Sequence, residues 1–179
     1  MTLIVGVRCK DACLVIADRR THLKSGGRNG HRDDFHKVVK HDGFLVYNHG
    51  YNRIGDHDWK LRVSDLTADA SNRVYSEIQE EMRRKPDRKA FYVFMNMATL
   101  VEIVICADTG ITVKDHMPND RIVSGSGGKY VSLALLSHLR HRSAGDVRKS
   151  LEQTFKAAHD KMTVQGGNAL SEEFDVTAL

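Results

Sequence analysis

The chain has 179 residues and a formal net charge of +4, with 41% apolar and 28% charged residues. This composition is that of a globular protein with one substantial core, and we expect a single domain over residues 1–179. No run of about 18 apolar residues predicts a membrane span, and acidic residues interrupt the N-terminus where a signal peptide would be apolar.

The first twenty residues contain two short apolar segments, Thr2–Arg8 and Ala12–Ala17, which are rich in Val and Ile. Such segments favour β-strands, and the polar residues between them predict a hairpin. With Lys10 and Asp11 as the turn, the facing pairs are Arg8 with Cys13, Val5 with Ile16, and Leu3 with Asp18. This register places Thr2 beside the carboxylate of Asp18.

The glycine-rich polar segment Thr21–Asp34 predicts a loop. Beyond it, Phe35–Gly50 has apolar stretches on both sides of His41-Asp42-Gly43, which predicts a second hairpin. From about Asp56 to Arg84 the apolar residues recur at helical spacing, with charges elsewhere. This pattern predicts a long amphipathic helix that stops before Pro86.

Short apolar segments return in the second half of the chain. They predict strands at Phe91–Met97, Val101–Cys106, Ile111–Val113 and Arg121–Ser124. Gly125–Gly128 then ends the last strand and opens a helix over Lys129–His141. A capping-box-like spacing from Ser143 to Asp146 starts a third helix, and residues 163–179 have room for one or two strands. Strands and helices that are segregated in this way argue for an α+β layered fold.

Residue types with known metal chemistry do not form a recognised motif. The three cysteines are odd in number and lie in apolar segments, which favours reduced core residues of a cytoplasmic protein. The ten histidines lack metal-ligand spacing, so we predict neither a metal nor another cofactor. Lys and Arg are interleaved with acids, which favours a solvated surface over a nucleic-acid interface.

Two residues near the N-terminus are suited to catalysis. Removal of Met1 would leave Thr2 with a hydroxyl and a free α-amine that is able to act as its base. Asp18 ends a buried strand, where an unpaired charge is costly. Lys37 lies in an apolar strand, where a lysine usually reaches the strand edge; a buried lysine beside a carboxylate would instead bias a neighbouring hydroxyl or amine.

Two further segments are weaker signals. Gly125-Ser126-Gly127-Gly128 lacks the spacing of a phosphate or dinucleotide loop, although the free amides of such a loop hold anions or polar side chains. Asp160 and Thr163 stand near the end of the third helix, where they are equally typical of a C-terminal cap region.

Taken in order, these segments resemble the β-type subunits of the proteasome and its bacterial relative HslV, which are N-terminal nucleophile hydrolases. The resemblance runs over most of the chain. In the opening it rests on Thr2, Ile4, Val5 and Val7, followed by Val15, Ile16, Ala17 and Asp18. Further on it rests on Lys37-Val38, Gly50, Gly125–Tyr130, and Asp160 with Thr163.

The resemblance implies a four-layer αββα sandwich and a threonine endopeptidase. The site residues that it implies are Thr2, Asp18, Lys37, Gly50, Ser126, Asp160 and Thr163. In that family the Thr is the nucleophile, the Lys held by the Asp supplies positive charge, and the Gly amide binds the oxyanion. Ser126 and Asp160 would hold the amine in place through hydrogen bonds, and Thr163 is the motif partner of Asp160.

The same resemblance implies partners. These are polypeptide substrates, identical subunits in a closed double ring, and an ATP-driven unfoldase, since the chain itself has no visible ATP site. Neither a membrane nor a nucleic acid is expected.

The sequence also departs from the family pattern. His49 and Tyr51 flank Gly50 where small residues are usual, and Arg19 and Arg20 follow Asp18. These departures leave open a non-catalytic ring subunit of the same fold. A nucleic-acid-binding or metal-dependent protein that uses the Arg and His side chains is a third hypothesis.

Overall fold

A computed structural model describes residues 2–25, 28–32, 36–41, 43–50, 80, 83–84, 89–116, 120–131, 136, 138–164 and 173–179. The strands of this part of the chain are β1 (Ile4–Arg8), β2 (Cys13–Asp18), β3 (Thr21–Ser25), β4 (Arg28–Arg32), β5 (Val38–His41), β6 (Phe44–Gly50), β7 (Lys89–Met95), β8 (Leu100–Cys106), β9 (Gly110–Asp115), β10 (Arg121–Ser124) and β11 (Phe174–Ala178). Helix α1 spans Ala144–Val164, and two 3-10 turns span Gly128–Tyr130 and Leu139–His141.

The strands form two large antiparallel sheets and a ribbon. The four-stranded sheet has the order β10-β1-β2-β11, the five-stranded sheet has the order β5-β6-β7-β8-β9, and β3 pairs with β4. The predicted register of the first hairpin is confirmed, because Val5 pairs with Ile16 and Arg8 with Cys13. The Cys9 N–H donates to the Ala12 carbonyl at 2.9 Å, which closes the turn around the two predicted turn residues.

The second hairpin, formed by β5 and β6, is also confirmed. Its turn contains Gly43 at φ +76°, a left-handed conformation that favours glycine. The strands predicted from Phe91 to Ser124 are confirmed as β7 to β10. β7 ends at Met95 rather than Met97, because the Asn96 side chain accepts the N–H groups of Ala98 and Thr99 and turns the chain.

Two predictions of local structure are wrong in part. Thr21–Asp34 is not a loop throughout, since β3 and β4 pair within it. A ladder of backbone hydrogen bonds needs no apolar side chains, so a polar ribbon leaves no hydrophobic period. The helix predicted over Lys129–His141 is interrupted at its start, because Val131 is extended after the first 3-10 turn. Leu136 is helical, and residues 132–135 and 137 lie outside the described residues.

The third predicted helix is confirmed as α1. Ser143 caps it: its Oγ accepts the Asp146 N–H at 3.3 Å and donates to the Asp146 carboxylate at 2.9 Å. Among the described residues, no helix combines the length and the apolar composition needed to cross a membrane. The tail contributes the single described strand β11.

The core has a layered arrangement. The two large sheets face each other through buried side chains: Ile4, Cys13, Val15, Ala17 and Ile122 from one, and Val38, Leu45, Tyr47, Val93, Met95 and Leu100 from the other. The opposite face of the four-stranded sheet packs on α1 through Leu3, Val5, Val7, Leu14 and Ile16, which meet Val147, Leu151, Phe155, Ala158 and Met162. The α+β class is confirmed, with helix, sheet and sheet as successive layers.

The outer face of the five-stranded sheet is also apolar and buried, through Val46, Ala90, Tyr92, Phe94, Ile103 and Ile105. An amphipathic helix over residues 56–84 would suit this face as a fourth layer. Glu80, Arg83 and Arg84 are helical, and the rest of that segment lies outside the described residues. The fourth layer stays a prediction. Cys9, Cys13 and Cys106 are free and buried, as predicted for core residues.

Candidate active site

The candidate site lies at one end of the four-stranded sheet. Strand β1 is antiparallel to both of its neighbours, so its first residues lie beside the last residues of β2 and β10. Thr2 and Leu3 precede β1, Asp18 ends β2, and Ser126 follows β10. Lys37 directly precedes β5 of the facing sheet and completes the group. Residues far apart in the chain therefore meet here because of strand order.

Lys37 and Asp18 form a buried ion pair. The Lys37 Nζ lies 2.8 Å from the Asp18 Oδ1, and the two residues are 7% and 0% exposed. The Leu3 N–H donates to the same Oδ1 at 2.7 Å, and the Arg20 N–H donates to Oδ2 at 3.1 Å. A buried charge is tolerated only when it is paired and hydrogen-bonded in this way. The charged end of β2 is thus explained.

The hydroxyl of Thr2 lies within reach of the ammonium group. Lys37 Nζ donates to Thr2 Oγ1 at 3.3 Å, and the Thr2 N–H points to Ser126 Oγ at 3.4 Å. A cation beside a hydroxyl favours the alkoxide that forms when the hydroxyl loses its proton. Four of the predicted site residues (Thr2, Asp18, Lys37 and Ser126) are therefore brought together by the fold.

The glycine loop after β10 wraps the backbone of Thr2. The Gly127 N–H donates to the Thr2 carbonyl at 2.9 Å. Gly125 has φ +85°, and a Cβ built on it would lie 2.3 Å from the Thr2 carbonyl oxygen. The loop consequently uses glycine for close approach to Thr2, rather than for binding a phosphate.

The remaining predicted residues have other described neighbours. Gly50 is the last residue of β6 and pairs with Ala90 of β7. The Asp160 side chain is 65% exposed on α1, 3.6 Å from the His159 ring. The Thr163 hydroxyl donates to the His159 carbonyl of its own helix at 3.0 Å. The support of the Thr2 amine by Asp160 and Thr163, like the oxyanion role of Gly50, stays a prediction.

His49 is a polar residue that the sequence marked only as a departure from the family pattern. Its ring stacks on Phe91, with centroids 4.5 Å apart and planes 5° from parallel. Its Nε2 is buried without a hydrogen-bond partner. Burial lowers the pKa of His49, and the Lys37 ammonium lowers this pKa further against an opposing effect of Glu102. His49 is thus a neutral imidazole in the electrostatic field of the site at neutral pH.

Solved structures share this fold over nearly the whole chain. Thiobacillus denitrificans BPH in complex with epoxomicin is 14% identical, with a TM-score of 0.60 over 99% of this chain and 97% of that one. Anbu from Hyphomicrobium sp. strain MC1 is 12% identical, with a TM-score of 0.54 over 99% and 81%. Anbu from Yersinia bercovieri, an ancestral beta-subunit, is 12% identical, with a TM-score of 0.58 over 98% and 80%.

No protein-family model matches the chain, and no curated protein matches its sequence. The structural similarity therefore establishes the fold at low identity. The chain shares the proteasome β-type fold of BPH and Anbu. The recognition made from sequence motifs is confirmed at this level.

Replacing Lys37 by Met tests the buried ion pair. The change leaves the Asp18 carboxylate without its cation, so the free energy of unfolding should fall by about 3–5 kcal/mol. Urea denaturation at pH 7 measures it. Lys114→Met is the matched control, because the Lys114 Nζ is 4.0 Å from Glu102 and its side chain is 57% exposed; it should cost about 1 kcal/mol or less. Equal losses in the two variants would contradict the analysis.

Gly125→Ala tests the close approach of the glycine loop to Thr2. Both Gly125 and Gly43 have positive φ, and each substitution should cost about 1–2 kcal/mol for that reason. A Cβ at Gly43 meets nothing within 4 Å, whereas one at Gly125 collides with the Thr2 backbone. Thermal denaturation should therefore show a clearly larger loss for Gly125→Ala than for Gly43→Ala. Similar melting temperatures would refute the collision.

The lowered pKa of His49 predicts that the protein loses stability in acid. Its native pKa lies below the unfolded value of about 6.5, so the unfolded state binds more protons as the pH falls below that value. The contribution of neutral His49 to the free energy of unfolding is complete above about pH 6.5 and decreases as the pH falls through the lowered pKa. The difference in unfolding free energy between pH 7.5 and pH 5 should shrink in His49→Gln. It should not change in the exposed control His141→Gln.

Proposed function

We propose that the protein is a threonine-type endopeptidase subunit of a self-compartmentalising, proteasome-like ring, with Thr2 as its nucleophile. The observation that supports this most directly is the 3.3 Å contact from the Lys37 ammonium to the Thr2 hydroxyl, in a pair with buried Asp18. The shared fold with BPH and Anbu supports the same class.

The proposal requires cleavage of the bond between Met1 and Thr2. Thr is small enough at the second position to permit removal of the initiator Met. The freed α-amine has a reference pKa of about 7.7–8.0, so a useful fraction is neutral at cellular pH and able to accept the hydroxyl proton. Ser126 Oγ, 3.4 Å from the Thr2 nitrogen, would orient that amine.

The proposed reaction then follows from the charges on Thr2, its α-amine and Lys37. Thr2 Oγ1 attacks the carbonyl carbon of a peptide bond while its proton passes to the α-amine. The Lys37 ammonium stabilises the negative charge that develops on Oγ1, and we assign the oxyanion to the Gly50 amide. Collapse of the tetrahedral intermediate breaks the C–N bond, and the α-ammonium protonates the leaving amine. Water then hydrolyses the acyl ester and regenerates the hydroxyl.

The remaining parts of the proposal concern partners. Substrates would be unfolded polypeptides, admitted to a closed double ring of identical subunits, and an ATP-driven unfoldase would deliver them. Anbu is an ancestral beta-subunit, and HslV is the relative suggested by the sequence motifs. We place the protein in the cytoplasm, in keeping with its free buried cysteines. No cofactor takes part in the reaction.

The alternative is a non-catalytic subunit of the same fold. His49 favours this alternative, because it stands beside Gly50 where the family usually has a small residue, and it lies in the electrostatic field of Lys37. The two functions make opposite predictions about Thr2, because a scaffold needs neither its hydroxyl nor its amine.

Thr2→Ala should reduce peptide turnover by about 10⁴-fold or more, since the nucleophile is lost. The matched control Thr112→Ala removes a hydroxyl from exposed β9 and should leave turnover unchanged. Intact mass and N-terminal sequencing should show that the mature chain begins at Thr2. Incubation with a peptide that carries an electrophilic group should add the mass of that reagent to Thr2. Retained Met1 together with unlabelled Thr2 would establish the scaffold instead.

A further inference from the structure

The C-terminal strand β11 brings a carboxylate to the two segments that hold the ion pair of the site. Arg19 directly follows Asp18, and its Nε and Nη2 donate to the Asp175 Oδ1 at 2.9 Å and 2.7 Å. His36 directly precedes Lys37, and its Nδ1 lies 2.7 Å from the Asp175 Oδ2. We call these three residues, Arg19, His36 and Asp175, the clamp.

The two oxygens of Asp175 have different partners, so the clamp needs an ionised carboxylate. A carboxylate accepts only, which assigns the Nδ1 proton to His36 as donor. Burial raises the pKa of Asp175, but the hydrogen bonds from Arg19 and His36 lower it by more, and the net pKa lies below its usual value. An amide at this position would be uncharged, so it would weaken the bonds from Arg19 and would reach His36 only by donating to an unprotonated Nδ1.

The clamp spans the boundary between the sheets. Asp175 pairs with Ala17 of β2, one residue from Asp18, so its backbone is held by the sheet. Lys37 lies before the first paired residue of β5, Val38, and thus outside the ladder that holds that strand. A bond from Asp175 to His36 ties the segment that contains Lys37 to the strand that contains Asp18.

We propose that Asp175 is a positioning residue, which holds the Lys37 ammonium over the Thr2 hydroxyl through His36 and Arg19. The catalytic part of this inference rests on the proposed function of Thr2. Displacements of about 1 Å from a reactive geometry cost up to about a hundredfold in rate, so a clamp one residue away from each charged group is close enough to matter.

Asp175→Asn should lower kcat for a peptide substrate by about ten- to a hundredfold and leave KM nearly unchanged, because substrate contacts remain. Glu173→Gln is the matched control. Glu173 pairs with the same Arg19 at 2.9 Å, but its side chain is 66% exposed, so its loss should leave kcat unchanged. An unchanged kcat in Asp175→Asn, or an equal loss in both variants, would overturn the proposal.

Two variants of His36 distinguish a positioning role from a general loss of stability. His36→Asn keeps a donor near the place of Nδ1 and should retain most of the activity. His36→Leu removes the donor from a side chain that is 67% exposed and should lose as much kcat as Asp175→Asn. Equal activity of the two His36 variants would overturn the role of the hydrogen bond, whatever their melting temperatures.

A readout without turnover keeps the two proposals distinguishable. Acetylation of the folded protein by a small amine-reactive reagent, followed by mass spectrometry, measures how accessible each lysine is. Lys37 is 7% exposed and should react slowly in the parent chain, and several-fold faster in Asp175→Asn but not in Glu173→Gln. If the parent has no peptidase activity, the proposed function fails while this test still decides the clamp. An unchanged Lys37 rate would refute the clamp.

Discussion

The burial of the Asp18 carboxylate is the constraint on which the rest of the site depends. A charge that is 0% exposed needs a cation and hydrogen-bond donors, and Lys37, the Leu3 N–H and the Arg20 N–H meet that need. Because Asp18 belongs to one sheet and Lys37 directly precedes a strand of the other, the same ion pair joins the two sheets. The interaction that places positive charge beside Thr2 is therefore also part of the interface between the sheets.

Around this pair, the backbone rather than the side chains shapes the site. The Thr2 carbonyl accepts the Gly127 N–H, and the conformation of Gly125 lets the loop pass where a Cβ would not fit. Thr2 is consequently held on both sides, by the loop through its backbone and by Lys37 through its hydroxyl. The proposed nucleophile, fixed in this way, would lose little further freedom on reacting, which is the general advantage of preorganisation.

The two errors of local prediction have separate physical origins. The β3–β4 ribbon lacks an apolar face, so nothing in its side chains distinguishes it from a loop, and only backbone pairing reveals it. Val131 leaves the predicted helix and joins the buried core instead.

Periodicity in the sequence was sufficient for the α+β class, both hairpins, the register of β1 with β2 and the extent of α1, because these features depend on neighbours a few residues away. Motif order was sufficient to recognise the proteasome β-type fold at identities of 12–14%. The contacts of Asp175 with Arg19 and His36, and the burial of His49 beside Phe91, depended on tertiary structure. They join residues up to 156 positions apart, and no local pattern specifies which distant side chains strand order will bring together.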